Sequence, residues 1–466
     1  MDVASLVYGL LEHSLALARW LGTRYGTALA IAGLALIALA AVALHRWIGR
    51  RSRRARSARA QWGVRDLKER LRRRLAEPAA PVADPAAGPT LGAAEAFDAD
   101  IEAAANTVLA EAGGRQAGAK HLLRKRLRGN GAGNGKLNGS EVSYWRQLGA
   151  LSLLDNTQDA LAAYSRAADL APDDPQVHMQ LGVLALRAGR LEAAEAAFRR
   201  QMELADGQAG QAVRHRAGAM LGDVLAAKGD RDAALGAYEA AEREAMARVE
   251  QEPDNVRWQR DLSFAHDRIG ELLLATGQVD LALERFRRSL GIAEALAKRD
   301  AADADCQRDL SVTHDRIGEA LERKGDLDGA LASYRSGLAL AEALARREPK
   351  RLEWQWDLSV SLDRIGDVLL AKGKAGEALA SYRRGLKIAE NLAKSDPIRA
   401  GWQRDLAVCC HKVGSLEAVS GNEGEARELL ERGREIIARL ARIAAYRAQW
   451  RSDLARFDEA LRGLDP

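Results

Sequence analysis

Trp258-Gln-Arg-Asp-Leu262 decides how this chain is read, because the pattern returns at Cys306-Gln-Arg-Asp-Leu310, Trp354-Gln-Trp-Asp-Leu358, Trp402-Gln-Arg-Asp-Leu406 and Trp450-Arg-Ser-Asp-Leu454. Each copy starts 48 residues after the last. A step held over four intervals without insertion or deletion is the signature of a repeat array, in which every unit must stack on its neighbours. Length in such a chain counts units rather than globular domains.

Other residues keep the same step. Gly222, Gly270, Gly318, Gly366 and Gly414 form one series, and Gly229, Gly277, Gly325, Gly373 and Gly421 a second. Ala234, Ala282, Ala330, Ala378 and Ala426 form a third, followed four residues later by Tyr238, Phe286, Tyr334, Tyr382 and Leu430. The composition, rich in Ala, Leu, Arg and Glu with 10 prolines in 466 residues, favours helix throughout. Each unit therefore reads as a helix, a turn at the second glycine, and a second helix whose alanine and ring pack beside the first glycine. Trp258, Leu262, Ala265, Ile269 and Leu273 fall on one apolar stripe of the first helix. Trp258, Trp354, Trp402 and Trp450 are thus expected to anchor the start of that helix against the preceding unit.

These spacings resemble the tetratricopeptide repeat family, whose pattern places a glycine in the first helix, an alanine twelve residues later and an aromatic four beyond. Gly182, Ala194 and Phe198 fit in a unit of ordinary length; Trp145, Leu148, Gly149, Ala160, Tyr164, Ala167 and Pro172 fit with a turn one residue shorter. The resemblance runs from about Val142 to Leu461. It implies an all-α fold, a helix-turn-helix repeat solenoid winding as a right-handed superhelix, and a role in binding other proteins. The departure is length. The family's usual unit is 34 residues, and the extra fourteen, split seven per helix, add about two turns to each without rotating its buried face.

The N-terminal part has a different character. Tyr25 to Leu44 is twenty residues without a charge, long enough at about 1.5 Å per residue to cross roughly 30 Å of hydrocarbon. Residues 1 to 75 hold 15 Lys/Arg against 4 Asp/Glu, and 13 of those cations stand between Arg46 and Arg74. Basic residues on the C-terminal flank resist translocation, so a single transmembrane helix over 25–45 is expected, with residues 1–24 outside and all that follows in the cytoplasm of a cell with an inner membrane. The basic segment 46–76 is expected to meet anionic lipid rather than nucleic acid. Residues 77–92 hold four prolines and read as a spacer. Residues 93–140 read as two helices with a Gly/Asn-rich loop, 142–212 as ordinary-length repeats, 213–440 as the long ones and 441–466 as a capping helix.

No catalytic set and no cofactor fingerprint stand out, so neither an enzyme nor a cofactor is expected. Gly135-Lys136 lacks the glycine, Ser/Thr and preceding strand of a phosphate-binding loop. His266 and His314 share a position, but the next residue in that series is Leu362, which argues for packing rather than metal. Cys306, Cys409 and Cys410 fit neither a disulfide framework nor a zinc site. In the resembled family, first-helix residues three before and one after the framework glycine line a concave groove. Here these are Asp267 and Glu271, Asp315 and Glu319, and Asp363 and Asp367, with Arg268, Arg316 and Arg364 beside them. Such a stripe is either a groove for a basic or extended peptide or a solvated salt-bridge ladder. The functional expectation is a membrane-anchored scaffold that recruits protein partners; the alternative is an envelope-biogenesis assembly or quality-control factor presenting clients to a membrane enzyme.

Overall fold

The structure, a computed structural model, describes residues 67–68, 71, 97–111, 116–130, 139–153, 156–205, 207–397, 399–443 and 448–464. The anchor expected over 25–45, the arginine block from Arg46 to residue 66 and the proline-rich spacer lie outside the described residues. Among the described residues every regular element is a helix, and no helix is long and apolar enough to cross a membrane.

The chain divides into two compact units. The first contains α1 (Asp98–Glu111), α2 (Gln116–Asn130), α3 (Gly139–Ser152) and α4 (Thr157–Leu170). Its core gathers Phe97, Ile101, Leu123, Leu151 and Tyr164, with Leu67 and Leu71 also fully buried in this unit. Phe97 meets Tyr164 edge to face with centroids 5.4 Å apart. The Tyr164 hydroxyl donates to Asp100 at 2.8 Å, and Arg146 lies 2.9 Å from the same carboxylate, so the buried acid is both bonded and neutralised.

The second unit is a run of helical hairpins. Its first pair is α5 (Pro175–Arg187) and α6 (Leu191–Leu204), of 13 and 14 residues. Then follow α7 (Gly207–Lys228) and α8 (Arg231–Gln251), α9 (Val256–Ala275) and α10 (Val279–Arg299), α11 (Ala304–Lys324) and α12 (Leu327–Arg347), α13 (Leu352–Ala371) and α14 (Ala375–Ser395), and α15 (Ala400–Val419) and α16 (Glu423–Ile443). These helices run 20 to 22 residues, about two turns more than α5 and α6. A final helix, α17 (Ala448–Arg462), packs on α16. Within this unit consecutive helices pack on one another along the whole run, as a stack of hairpins requires.

Local chemistry sets the hairpin boundaries. Asp230, Asn255, Asp303 and Asp326 cap helix starts with their side chains, each accepting from a free backbone N–H of the first turn. The turns between paired helices need a left-handed residue, and Gly229, Gly277, Gly325, Gly373 and Gly421 supply it with φ between 73 and 86°. The first-helix glycines answer to packing instead. A Cβ placed on Gly182, Gly270 or Gly318 would lie 2.5–2.6 Å from the ring of Phe198, Phe286 or Tyr334, and Gly222 and Gly366 face Tyr238 and Tyr382 in the same way. Gly414, whose partner is Leu430 rather than a ring, is looser, at 3.0 Å. Only a residue without a Cβ lets the second-helix ring lie flat on the first helix.

Candidate functional site

Each letter of the repeated pentapeptide joins one unit to another. Its first residue is buried at Trp354, Trp402, Trp450 and Cys306, Trp354 being 1% exposed, whereas Trp258 is half-buried. Arg248, Arg351 and Arg399 lie over the rings of Trp258, Trp354 and Trp402 at 5.1, 4.4 and 3.9 Å. The glutamine that follows reaches back to the preceding helix. Gln307, Gln355 and Gln403 donate to the carbonyls of Ala297, Ala345 and Ala393, which belong to last helical turns that otherwise leave acceptors open.

The arginine and aspartate complete the joint. Arg260 donates to Asp309 at 2.7 Å, Arg308 to both oxygens of Asp357 at 2.6 and 3.0 Å, and Arg404 to Asp453 at 2.8 Å. Each pair spans 49 residues, so the third letter of one copy binds the fourth letter of the next. Where the arginine is replaced by Trp356, the indole N–H donates to Asp405 at 2.8 Å and holds the same link without charge. One residue further, Ser311 and Ser359 donate to the carbonyls of Gly337 and Gly385, clamping each hairpin internally.

The acids expected to line a groove lie two turns along the same helices. Arg316 bridges Asp267 and Glu271 of the preceding unit at 2.5 and 2.7 Å. Arg268 does so for Asp223 at 3.4 Å and reaches Glu271 at 2.9 Å. Lys412 takes the role for Asp363 and Asp367, both at 2.7 Å. Arg364 breaks the pattern: it donates to the backbone oxygen of Asp315 at 3.2 Å and stands 3.6 Å from Glu319, while Ser361 donates to the Asp315 carboxylate. The other oxygen of Asp315 has no hydrogen-bond partner and faces Gly337, where an added Cβ would approach it to 2.7 Å. The stripe is therefore not a row of free carboxylates; Asp267 is only 5% exposed, and cations of neighbouring units are threaded between the acids.

Burial governs the electrostatics. It pushes the carboxyls of Asp267 and Asp315 up to about 6, against the pull of Arg316 on the first and Arg364 on the second. Asp363 is raised for the same reason, with Lys412 opposing. At Glu271 burial acts upward too, but Arg316 and Arg268 together outweigh it and hold the carboxyl below its ordinary value. Asp405, bonded to a neutral indole, is raised by burial to about 6. His266 lies 2.8 Å from Glu242, yet burial and the nearby Arg285 and Arg288 lower its pKa to about 4, so it stays neutral. Among the described residues no group of three His, Cys, Asp or Glu is placed to hold a metal ion.

Residues outside the expected set complete this face. Lys412 stands in the same 48-residue series as Arg268, Arg316 and Arg364, a signal present in the sequence. Phe264, Val312, Val360 and Val408, three residues before the acid column or its equivalent, are all half-buried rather than fully enclosed. The charge balance changes along the array: α13 carries Glu353, Asp357, Asp363 and Asp367 against Arg364 alone. First helices thus present an apolar row beside paired charges, with surplus acid at α13.

A family model described as tetratricopeptide repeat matches residues 361–392, which cover the C-terminal half of α13 and most of α14. Trp354 and the pentapeptide fall outside that match. No curated protein matches the chain in sequence. Among solved structures, the apo form of RapI is 15% identical over 79% of this chain and 95% of its own, with a TM-score of 0.47. A tetratricopeptide repeat protein from Parabacteroides merdae ATCC 43184 is 14% identical over 68% and 99%, with a TM-score of 0.42, and BtubC from P. vanneervenii is 17% identical over 51% and 92%, also at 0.42. With TM-scores below 0.5 these likenesses assign no partner. The helix pairing, the glycine-to-ring contacts and the matched segment together describe a helical repeat protein that carries a tetratricopeptide repeat at residues 361–392.

Proposed function

We propose that the chain is a protein-binding scaffold, held at the cytoplasmic face of an inner membrane by residues 25–45 with Arg46–Arg74 against anionic lipid, and that it recruits a basic, extended peptide on the first-helix face of its second unit. The observation that carries the binding reading is the pairing of Val312, Val360 and Val408, half-buried rather than enclosed, with the acid surplus on α13. An extended chain rises about 3.3 Å per residue and turns successive side chains to opposite faces, so a peptide crossing the first helices can set its apolar side chains on this row. Its basic side chains would meet Asp363 and Asp367, where one lysine serves two carboxylates.

The test is fluorescence anisotropy with a labelled peptide of arginines spaced between valines, run at low and high salt. Asp363→Asn with Asp367→Asn is expected to weaken binding on the order of tenfold, one charged contact being worth about 1.5 kcal/mol, and salt is expected to mimic the loss. Equal affinity for wild type and variant, or binding indifferent to salt, would refute the assignment of this face.

A further inference from the structure

In the first unit, α2 reads QAGAKHLLRKRLRGN and holds Lys120, Arg124, Lys125, Arg126 and Arg128 with no acidic residue. Its sides differ sharply. Ala119 and Leu123 are fully buried, Lys120 is nearly so, and Arg126 lies over the Tyr144 ring at 5.5 Å. His121, Arg124, Lys125 and Arg128 are all exposed. Their spacing of three, one and three residues places them on one side of the helix, one above another. This outward face therefore consists of cations and a histidine, and its own helix offers no carboxylate to neutralise them.

A second observation ties this unit to the basic segment before it. Leu67 and Leu71 are buried within the same unit, and Lys68 pairs with Glu102 of α1. The end of the Arg46–Arg74 run is thus part of the unit that carries α2. From Leu44 to Leu67 is 23 residues, a reach of at most about 80 Å when fully extended and about 35 Å as a helix. A unit so tethered cannot leave the neighbourhood of whatever surface holds residues 25–45.

We propose that the outward face of α2 docks on an anionic bilayer surface and holds the first unit against the membrane. This rests on the membrane-anchor reading above. Charge complementarity favours lipid headgroups, since a surface of many mobile anions meets a flat stripe of cations without demanding a particular geometry.

The experiment uses the full chain in nanodiscs of phosphatidylcholine with or without phosphatidylglycerol, following amide hydrogen exchange of residues 116–130. A triple variant, Arg124→Gln, Lys125→Gln and Arg128→Gln, keeps good helix formers at each site. Each cation at an anionic surface is worth roughly fivefold, so losing three weakens docking on the order of a hundredfold. Slower exchange with phosphatidylglycerol in wild type, absent in the variant, supports the proposal. Equal exchange in both discs, or slowing that survives in the variant, overturns it, as does slowing by a single-stranded RNA oligonucleotide that matches the lipid effect. The anchor is tested separately by flotation on phosphatidylcholine vesicles. A chain that fails to float there refutes the anchor alone; the α2 face is then read on phosphatidylglycerol vesicles, where binding lost in the variant upholds it and binding unchanged overturns it.

Discussion

Gly318→Ala is a substitution whose outcome the packing fixes. The new methyl carbon would sit 2.6 Å from both Cδ1 and Cε1 of Tyr334, about 0.9 Å inside the ~3.5 Å at which two carbons rest comfortably. The ring cannot swing away freely, because it is fully buried and its hydroxyl donates to Glu322 at 3.1 Å. Overpacking of this kind costs about 1–3 kcal/mol, and a clash with a pinned ring belongs at the upper end. Alanine in a helix interior returns about 1 kcal/mol over glycine, leaving a net loss of about 2 kcal/mol. Gly414→Ala supplies an internal control, since its nearest neighbours, Leu430 Cγ at 3.0 Å and the Ala426 carbonyl oxygen at 3.1 Å, need give only a few tenths of an ångström; the smaller overpacking cost and the gain in helix propensity then nearly cancel, for a change within about 0.5 kcal/mol. Urea denaturation, with native-state hydrogen exchange to localise the loss to α11 and α12, measures both variants. Tyr334→Leu added to Gly318→Ala should recover part of the loss by recreating the Gly414 environment. If Gly318→Ala is as stable as wild type, or the two glycine variants lose equally, the account of the hairpin joint is wrong.

Three further outcomes follow from the geometry. A double-mutant cycle on Arg308→Ala and Asp357→Ala should give a coupling energy of about 1–2 kcal/mol, as for a half-buried bidentate pair, and a value near zero would reduce the pentapeptide link to a surface contact. Asp315→Asn should be stabilising above pH 7 and neutral below pH 4. The folded carboxyl titrates at about 6 against 3.8 for the free side chain, so its favourable contribution is present in acid and is lost as pH rises through 6, a difference of up to about 3 kcal/mol. Thermal melts of variant and wild type across that range check the sign, and a variant that is less stable at pH 7.5 refutes it. Trp354→Ala should cost about 3–5 kcal/mol, and Trp258→Ala distinctly less because its ring is only half-buried; comparable midpoints in urea for the two variants would contradict the burial argument.

The hairpins were legible in the sequence because their determinants lie within one unit. Gly318, Ala330 and Tyr334 are twelve and four residues apart on two helices joined by a short turn, and simple helix geometry brings them together. The partners of the charged residues were not legible. Arg308 finds Asp357 at 49 residues, Arg316 finds Glu271 at 45, and Arg432 finds Glu390 at 42. These offsets depend on how one hairpin is rotated and shifted on the next, which no pattern inside a unit specifies. The acid stripe shows the consequence: the sequence places Asp267, Asp315 and Asp363 on one helix face, but whether each carboxylate meets water or a neighbour's cation is decided only by stacking. Repetition of both arginine and aspartate in WQRDL was a clue to a joint between copies, visible once one asks which letter of one copy could neutralise a letter of the next.

Because Arg308 and Asp309 are adjacent yet point to opposite neighbours, each unit carries a plug on one side and the matching socket on the other. Two such units recognise each other without either being told its place in line. An array assembled from interchangeable parts of this kind can gain or lose a whole member, and the flanking members will still find complementary faces. Excision of residues 304–351 should bring Arg260 against Asp357 and leave a shorter protein that folds, whereas removing any fraction of that length would set every joint beyond it out of step.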